Sequence, residues 1–361
     1  RDRLDANPRA HARRRAARRD ERPARGVFHF AAALERGPFR RSDERNRDSG
    51  TGSVDRERRA IAKGTHVSPS QAREVDPDLT VLMPVWKGDD PAHVREAIAS
   101  ATHRQTTAPG MLLLAIDGPL PQELEAVVAE VLDGTFGRAR VVRNGKHRGL
   151  ARTLESALAH CETALVGRAD ADDVSHPERF AVQLSALRER HLDIVGANMR
   201  EIDEESCPRR SDDGEELIRR RPREHEEIAR YMRDHSPFHH PTVLMRVSAV
   251  HKAGGYRDFP LMEDYDLWHR MLRAGARMGN VPDVLVDYRV STNLYRRRGG
   301  FTLFASDVRM QCSMVRSRTT SVPRALRNLF GRAVYRAVPT QLRDRVYWRV
   351  IERGLMRKRE Q

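Results

Sequence analysis

From residue 79 to residue 197 the chain alternates short, unbroken apolar runs with stretches of helical period, and few folds accept that pattern. Thr80-Val81-Leu82-Met83-Pro84-Val85 is largely apolar, as a strand covered on both faces must be. Asp90 is placed to cap the helix that follows, with Pro91 at its first position and Val94, Ala97, Ile98 and Ala101 on its inner face. Further strands are predicted at 111–116, 140–142, 164–166 and 194–197. The intervening helices are marked by Leu124, Val127, Val128, Val131 and Leu132, then Leu150, Leu154 and Leu158 with Cys161, then Phe180, Val182, Leu184 and Leu187. Ser175-His176-Pro177-Glu178 reads as a capping box for the last of them. Strands joined by helical crossovers predict an α/β fold, a mainly parallel sheet with helices on both faces and ligands at the carboxyl edge of its strands. Farther on, 201–224 reads as a charged insertion, 242–245 as a strand and 263–274 as a helix, with three further helices filling the C-terminus.

Charge divides the 361 residues into three parts. Residues 1–75 carry a net +9, 76–294 a net −7 and 295–361 a net +13, so basic ends flank an acidic centre. The first part, rich in Arg, Asp, Ser and Gly and without period, predicts a basic disordered tail ahead of a folded domain at 76–300 and a basic amphipathic helical extension at 301–361. Around Arg13-Arg14-Arg15 no aromatic residue is interleaved for stacking, so nucleic acid is not an expected partner. Cys161, Cys207 and Cys312 lie far apart and outline neither a zinc site nor a disulfide framework, which fits a reducing compartment. No apolar run approaches the roughly 18–20 residues a spanning helix needs, and the chain reads as cytoplasmic.

Asp170-Ala171-Asp172-Asp173 directly follows a buried strand, and capping does not explain three carboxylates there. A divalent cation is one reason to keep repelling charges together, hard ions such as Mg or Mn taking oxygen ligands; an acidic turn is the other. Asp117-Gly118-Pro119 also ends a strand, next to Trp86 at the end of another, and together they suggest a nucleotide pocket. Glu263-Asp264-Tyr265-Asp266-Leu267-Trp268 opens a helix with Asp264 and Trp268 on one face and Asp266 turned away. Acidic residues in a first turn also suit the helix dipole. His239-His240-Pro241 has no third ligand at metal spacing and reads as a structural pair.

In order and spacing, Leu82-Met83-Pro84-Val85-Trp86, Ile116-Asp117-Gly118-Pro119, the stretch from Arg168-Ala169-Asp170 to Phe180, and Glu263-Asp264-Tyr265-Asp266-Leu267-Trp268 resemble family 2 glycosyltransferases. These have the GT-A fold, the Rossmann-like fold of nucleotide-diphospho-sugar transferases. The resemblance is strongest to bacterial exopolysaccharide enzymes of the amylovoran-biosynthesis type and runs from about residue 79 through Tyr295-Arg296-Arg297-Arg298-Gly299-Gly300. It implies inverting transfer of a sugar from a nucleotide diphosphate, UDP by default, with Asp264 as the base. Asp172, assisted by Asp170 or Asp173, would hold Mg or Mn. Pro84, Val85, Trp86, Asp117, Arg152, Arg168, Asp170 and Glu263 would line the nucleotide sugar, with Trp86 stacked on the base and Asp117 hydrogen-bonded to it. His240 and Trp268 would lie on the acceptor side. Glu155 and Ala157 depart from the Asn and Gly common in relatives, and no Q-x-x-R-W motif of processive synthases is present, which favours transfer of one sugar to a glycan or lipid-linked acceptor.

Two other functions fit the composition less well. A sugar-phosphate nucleotidylyltransferase needs a Gly-rich phosphate loop that Trp86-Lys87-Gly88-Asp89-Asp90 lacks, and a nucleic-acid binder would rest on the basic ends alone. Leu326, Leu329, Phe330, Ala333, Val334 and Ala337 form a stripe opposed to Arg324, Arg327, Arg332 and Arg336, and 342–353 repeats the design. Such helices suit an anionic membrane surface, the inner face of the plasma membrane for a cytoplasmic enzyme, or packing on the catalytic domain.

Overall fold

The computed structural model describes residues 74–211, 213–290 and 301–337, so the disordered tail expected at 1–75 lies outside the described residues except for its last two positions, as does the stripe at 342–353. Strand β1 (Glu74–Val85) pairs in parallel with β2 (Thr107–Asp117) on one side and β4 (Leu165–Arg168) on the other, and β2 pairs in parallel with β3 (Ala139–Asn144). Three crossover helices, α1 (Pro91–Ala101), α2 (Gln122–Leu132) and α3 (Leu150–Leu158), connect these strands. Asp90 caps α1 as expected, accepting from the amides of Ala92 and His93.

Five more strands complete the sheet: β5 (Val174–Ser175), β6 (Ile194–Ile202), β7 (Ile218–Arg219), β8 (Leu244–Arg246) and β9 (Met278–Arg289). Their order is β3-β2-β1-β4-β8-β6-β9-β5, with β7 beside β6. β8 is antiparallel to both β4 and β6, so β6 and its parallel neighbour β9 point the same way as the first four strands. The expected architecture, a mainly parallel sheet flanked by helices with a C-terminal helical extension, is the one observed.

β1 is buried on both faces. Leu79, Val81, Met83 and Val85 join a core with α1, α2 and α4 (Arg179–Glu189), while Leu82 joins a second core on the opposite face. That second core takes in α3, α5 (His225–Tyr231), α6 (Val247–Lys252), α7 (Glu263–Arg273) and α8 (Phe301–Arg316). Pairing of β1 with β4 ends at Leu82 and Arg168, before Pro84, whose missing amide therefore breaks no bond to β4. Beyond that point the two strands no longer pair, and Trp86 and residues 169–173 follow them at the carboxyl edge.

Two sequence expectations are corrected. Ser175 does not cap α4: it lies in β5, paired with Val286 of β9, and its hydroxyl accepts from Arg179 Nη1 at 2.9 Å, while the N-cap residue Glu178 makes no side-chain cap. The C-terminal part is not helical throughout, because β9 intervenes before α8 and α9 (Val322–Ala337). Gly279, Pro282 and Asp283 disguise that strand in the sequence. Near Pro282 the register with β6 shifts, and Asn198 Nδ2 donates to the Pro282 carbonyl at 2.6 Å, a bulge that accommodates the proline.

Candidate active site

The acidic loop 170–173 leaves the end of β4 and returns through β5. Oxygen atoms of Asp170, Asp172 and Asp173 come within 4.8 Å of one another, and among the described residues no other group of His, Cys, Asp and Glu does so. Two buried arginines lie under the loop. Arg168 forms an ion pair with Asp170, and Arg179 donates to the Arg168 carbonyl at 2.6 Å and to Gln183 at 3.2 Å. Burial pulls the Arg179 guanidinium down to about 9, against the opposing pull of Asp173. Burial, then the charges of Asp172 and Asp170, hold the Asp173 carboxyl well above the usual carboxylate range. Asp173 Oδ1 accepts from the Arg289 amide at 3.0 Å, while among the described residues its buried Oδ2 has no hydrogen-bond donor. Three clustered carboxylates, one of them presenting an unmatched buried oxygen, form a hard-oxygen donor set that fits Mg or Mn.

Arg289, which the sequence did not single out, clamps this loop from the end of β9. Its Nε donates to the Asp172 carbonyl at 2.9 Å, Nη1 to the Asp203 and Glu204 carbonyls at 2.9 and 2.8 Å, and Nη2 to Glu96 and Ser206 at 2.8 and 2.9 Å. All five N–H groups are used. No motif announced this residue; its only signal was an arginine at the end of an apolar run.

Trp86 and Asp117 meet through His147. The Trp86 and His147 rings are 6.0 Å apart, and His147 Nδ1 lies 2.8 Å from Asp117. Buried Asp117 also accepts from the amides of Arg148 at 2.7 Å and Gly149 at 3.0 Å, so it shapes the 147–149 loop as one wall of the pocket. Gly118 has φ of 90°, and a Cβ there would lie 2.7 Å from the His147 amide nitrogen. Asp89 accepts from the Trp86 amide at 2.9 Å, and burial followed by Asp172 and Asp170 pushes its carboxyl up to about 8. Pro84 and Val85 are buried at the end of β1 beneath this wall. Arg152 pairs with Asp258 at 2.6 Å.

Glu263 and Asp264 start α7, after Leu261 turns the chain in with a left-handed φ of 63°. Burial raises Asp264 to about 6, with Asp170 adding to the effect, and burial followed by Asp264 raises Glu263 to about 8. Both carboxyls at the start of this turn are thus held above the usual carboxylate range, burial being the main cause for each. Asp266 is turned away as expected, pairing at 2.8 Å with Arg270, which in turn holds the Gly255 carbonyl. Behind Asp264, His240 Nε2 bonds the Tyr256 hydroxyl at 2.9 Å and its ring meets Trp268 edge-on at 5.9 Å. Among the described residues the Trp268 indole N–H has no acceptor. His239 bonds the Arg219 carbonyl at 3.2 Å, so each histidine of the pair has a structural partner. Glu155, where the sequence departs from its relatives, accepts from the Tyr256 amide at 2.6 Å and so positions the loop before α7.

Residues 80–254 match the profile described as Glycosyl transferase family 2. The amylovoran biosynthesis glycosyltransferase AmsE of Erwinia amylovora is 30% identical over 74% of this chain and 97% of its own length. The chain belongs to glycosyl transferase family 2. The UDP-Gal:alpha-D-GlcNAc-diphosphoundecaprenol beta-1,3-galactosyltransferase of Escherichia coli is 29% identical over 77% of the chain and 98% of its own length. Among solved structures, TarS of S. aureus is similar at 13% identity with a TM-score of 0.49, covering 66% of this chain and 40% of TarS. A mannosyltransferase of Pyrobaculum calidifontis in complex with GDP-Man and Mn2+ gives 16% identity and 0.47, covering 80% and 83%. This family 2 chain is a glycosyltransferase with relatives in bacterial polysaccharide biosynthesis, and no helix among its described residues is long and apolar enough to cross a membrane.

Proposed function

We propose that the enzyme transfers one sugar from a nucleotide diphosphate donor, UDP foremost, to a glycan or lipid-linked acceptor with inversion at the anomeric carbon. The observation that carries this reading is the cluster of Asp170, Asp172 and Asp173, whose oxygens lie within 4.8 Å of one another, with Asp264 near enough for Asp170 to act on its carboxyl. Inversion asks for a base on the face of the sugar opposite the leaving diphosphate, and here the base and the acidic loop are separate groups.

Trp86 stacks on the base of the nucleotide, and the wall built by Asp117 and the 147–149 loop fixes its edge. Asp170, Asp172 and Asp173 would hold Mg or Mn, which when bound neutralises charge on the departing diphosphate. The acceptor hydroxyl approaches Asp264, behind which His240 and Trp268 are buried. Asp264 takes its proton as the oxygen attacks C1, and the bond from C1 to the diphosphate oxygen breaks on the opposite side. Glu263, next to the base in the chain, lines the sugar.

Two relatives support the surroundings of this reaction. The E. coli enzyme is named for a diphosphoundecaprenol-linked acceptor, and the P. calidifontis structure carries Mn2+. A lipid-linked acceptor would be met at the inner face of the plasma membrane, where the net +13 of residues 295–361 suits anionic lipid. Proton NMR of the first product formed from an α-linked donor tests the stereochemistry. A β-linked product supports the reading, and an α-linked product refutes the role given to Asp264.

A further inference from the structure

A recess of about 440 Å³ opens at the corner between α8 and α9. Arg233, Arg318, Thr319, Thr320, Ser321 and Arg324 line it, and Val322, at the first turn of α9, forms its rim. Helix N-termini present amides to anions, and α9 is 16 residues long, with Pro323 contributing no N–H of its own. A second observation points to a ligand. Thr320, one of the lining residues, is 7% exposed, and its buried Oγ1 has no hydrogen-bond partner among the described residues. A buried hydroxyl left unmatched is costly unless something arrives to match it. Arg233 and Arg318 carry no carboxylate partner among the described residues, and Arg324 shares Asp234 with Arg327.

The recess continues into an apolar face. Val322, Leu326, Phe330 and Val334 follow one another at helical spacing and are 55%, 61%, 72% and 50% exposed. The arginines of α9 turn the other way: Arg324 and Arg327 reach Asp234, and Arg332 pairs with buried Asp307. Polar groups thus anchor α9 to the catalytic domain and leave its apolar stripe outward. Residues 338–361, which follow, hold seven Lys or Arg against three Asp or Glu. An occupant that is anionic at one end and apolar beside it fits all three features.

We infer that the α8–α9 corner binds the phosphate of an anionic phospholipid while the Val322–Leu326–Phe330–Val334 stripe lies at the acyl boundary. The inference rests on the membrane reading above and gives it a specific site. The corner adjoins the C-terminal half of α7, where His269 bonds Thr319 at 2.9 Å, and the first turn of the same helix carries Glu263 and Asp264. Docking here would fix the height of the base above the bilayer.

The test is flotation of the full-length protein with phosphatidylcholine vesicles, with or without about 30% phosphatidylglycerol, and with inorganic phosphate as competitor. Wild type should bind only the anionic vesicles. Replacing Arg233 and Arg318 together with Ala should weaken binding about tenfold to thirtyfold. Phe330→Ser should weaken vesicle binding about tenfold, yet leave inorganic phosphate binding, read by calorimetry, unchanged. Thr320→Val should lose phosphate binding while keeping or raising the thermal midpoint, since it removes an unmatched buried group. If wild type floats and all variants float equally, the basic C-terminal segment holds the membrane and this site is wrong. Retained flotation in Phe330→Ser with phosphate binding intact would mark a free-anion site and overturn the lipid assignment. If wild type does not float, the membrane reading falls too, while release of nucleotide diphosphate from a donor still reports on the transferase reading.

Discussion

Arg289→Ala should destabilise the enzyme by about 3–4 kcal/mol. The wild-type guanidinium spends all five donors, on three main-chain carbonyls, the Ser206 hydroxyl and the Glu96 carboxylate. The carbonyls of Asp172, Asp203 and Glu204 each lose a charge-assisted bond in a part-buried setting, at roughly 1 kcal/mol net apiece. Glu96 keeps 34% of its side-chain surface in water and adds less than about 1 kcal/mol. With a urea slope of roughly 3 kcal/mol/M for a domain of this size, the unfolding midpoint should fall by about 1 M. Arg289→Lys keeps the charge but has three donors and no fork, so it should recover about half the loss. Because the Arg289 side chain also fixes the main chain of Asp172, both variants should bind Mn more weakly than wild type in calorimetry. An Arg289→Ala protein within about 1 kcal/mol of wild type, with unchanged Mn affinity, would refute the clamp.

Trp86→Ala should weaken binding of the nucleotide diphosphate about tenfold, the effect of losing one base-stacking platform, with little change in the thermal midpoint. Gly118→Ala should cost about 1–2 kcal/mol in urea unfolding, since φ of 90° suits no Cβ and the new atom meets the His147 amide; donor affinity should fall with it. The turnover number should rise with pH along a limb centred near 6, because Asp264 acts as base only when ionised; a limb near 4 would contradict the burial argument. Glu263 is raised from 4.5 to about 8 on folding, so its native form binds a proton that the unfolded chain has released between those values. Its contribution is complete below about 4.5 and is lost as pH rises to about 8, and Glu263→Gln should flatten that part of the stability curve.

The first half of the fold was legible because the main runs of β1, β2 and β4 are buried on both faces and its helices carry clean stripes, so that period alone separates Val81-Leu82-Met83 from Val94, Ala97 and Ile98. The second half was not. β9 contains Gly279, Pro282 and Asp283, breakers that its bulge against β6 accommodates, and β5 and β7 are two residues each. Ser175 looked like a cap because a Ser three residues before a Glu is the local signature, but pairing with β9 is a long-range fact that no local pattern encodes. The site divides the same way. Asp117, Asp170, Asp172, Asp173 and Asp264 stood out through motif and position, whereas Arg289, His147 and Glu155 act across 30 to 117 residues of chain and became visible only when the sheet brought them together. The amphipathic reading of α9 found the right two faces. Which one meets the catalytic domain depended on Asp234 and Asp307, carboxylates on other helices or loops.

The central claim is that one site binds a nucleotide sugar through the acidic loop and activates an acceptor through Asp264. Its most direct test is release of nucleotide diphosphate from a panel of nucleotide sugars, with Mn or Mg against EDTA, in wild type, Asp172→Ala and Asp264→Asn. One donor should be consumed by wild type. EDTA and Asp172→Ala should abolish that release, and Asp264→Asn should bind the same donor normally while turning over about 10²- to 10⁴-fold more slowly. Full turnover in Asp264→Asn, or donor binding and release indifferent to both metal and Asp172, would contradict the claim.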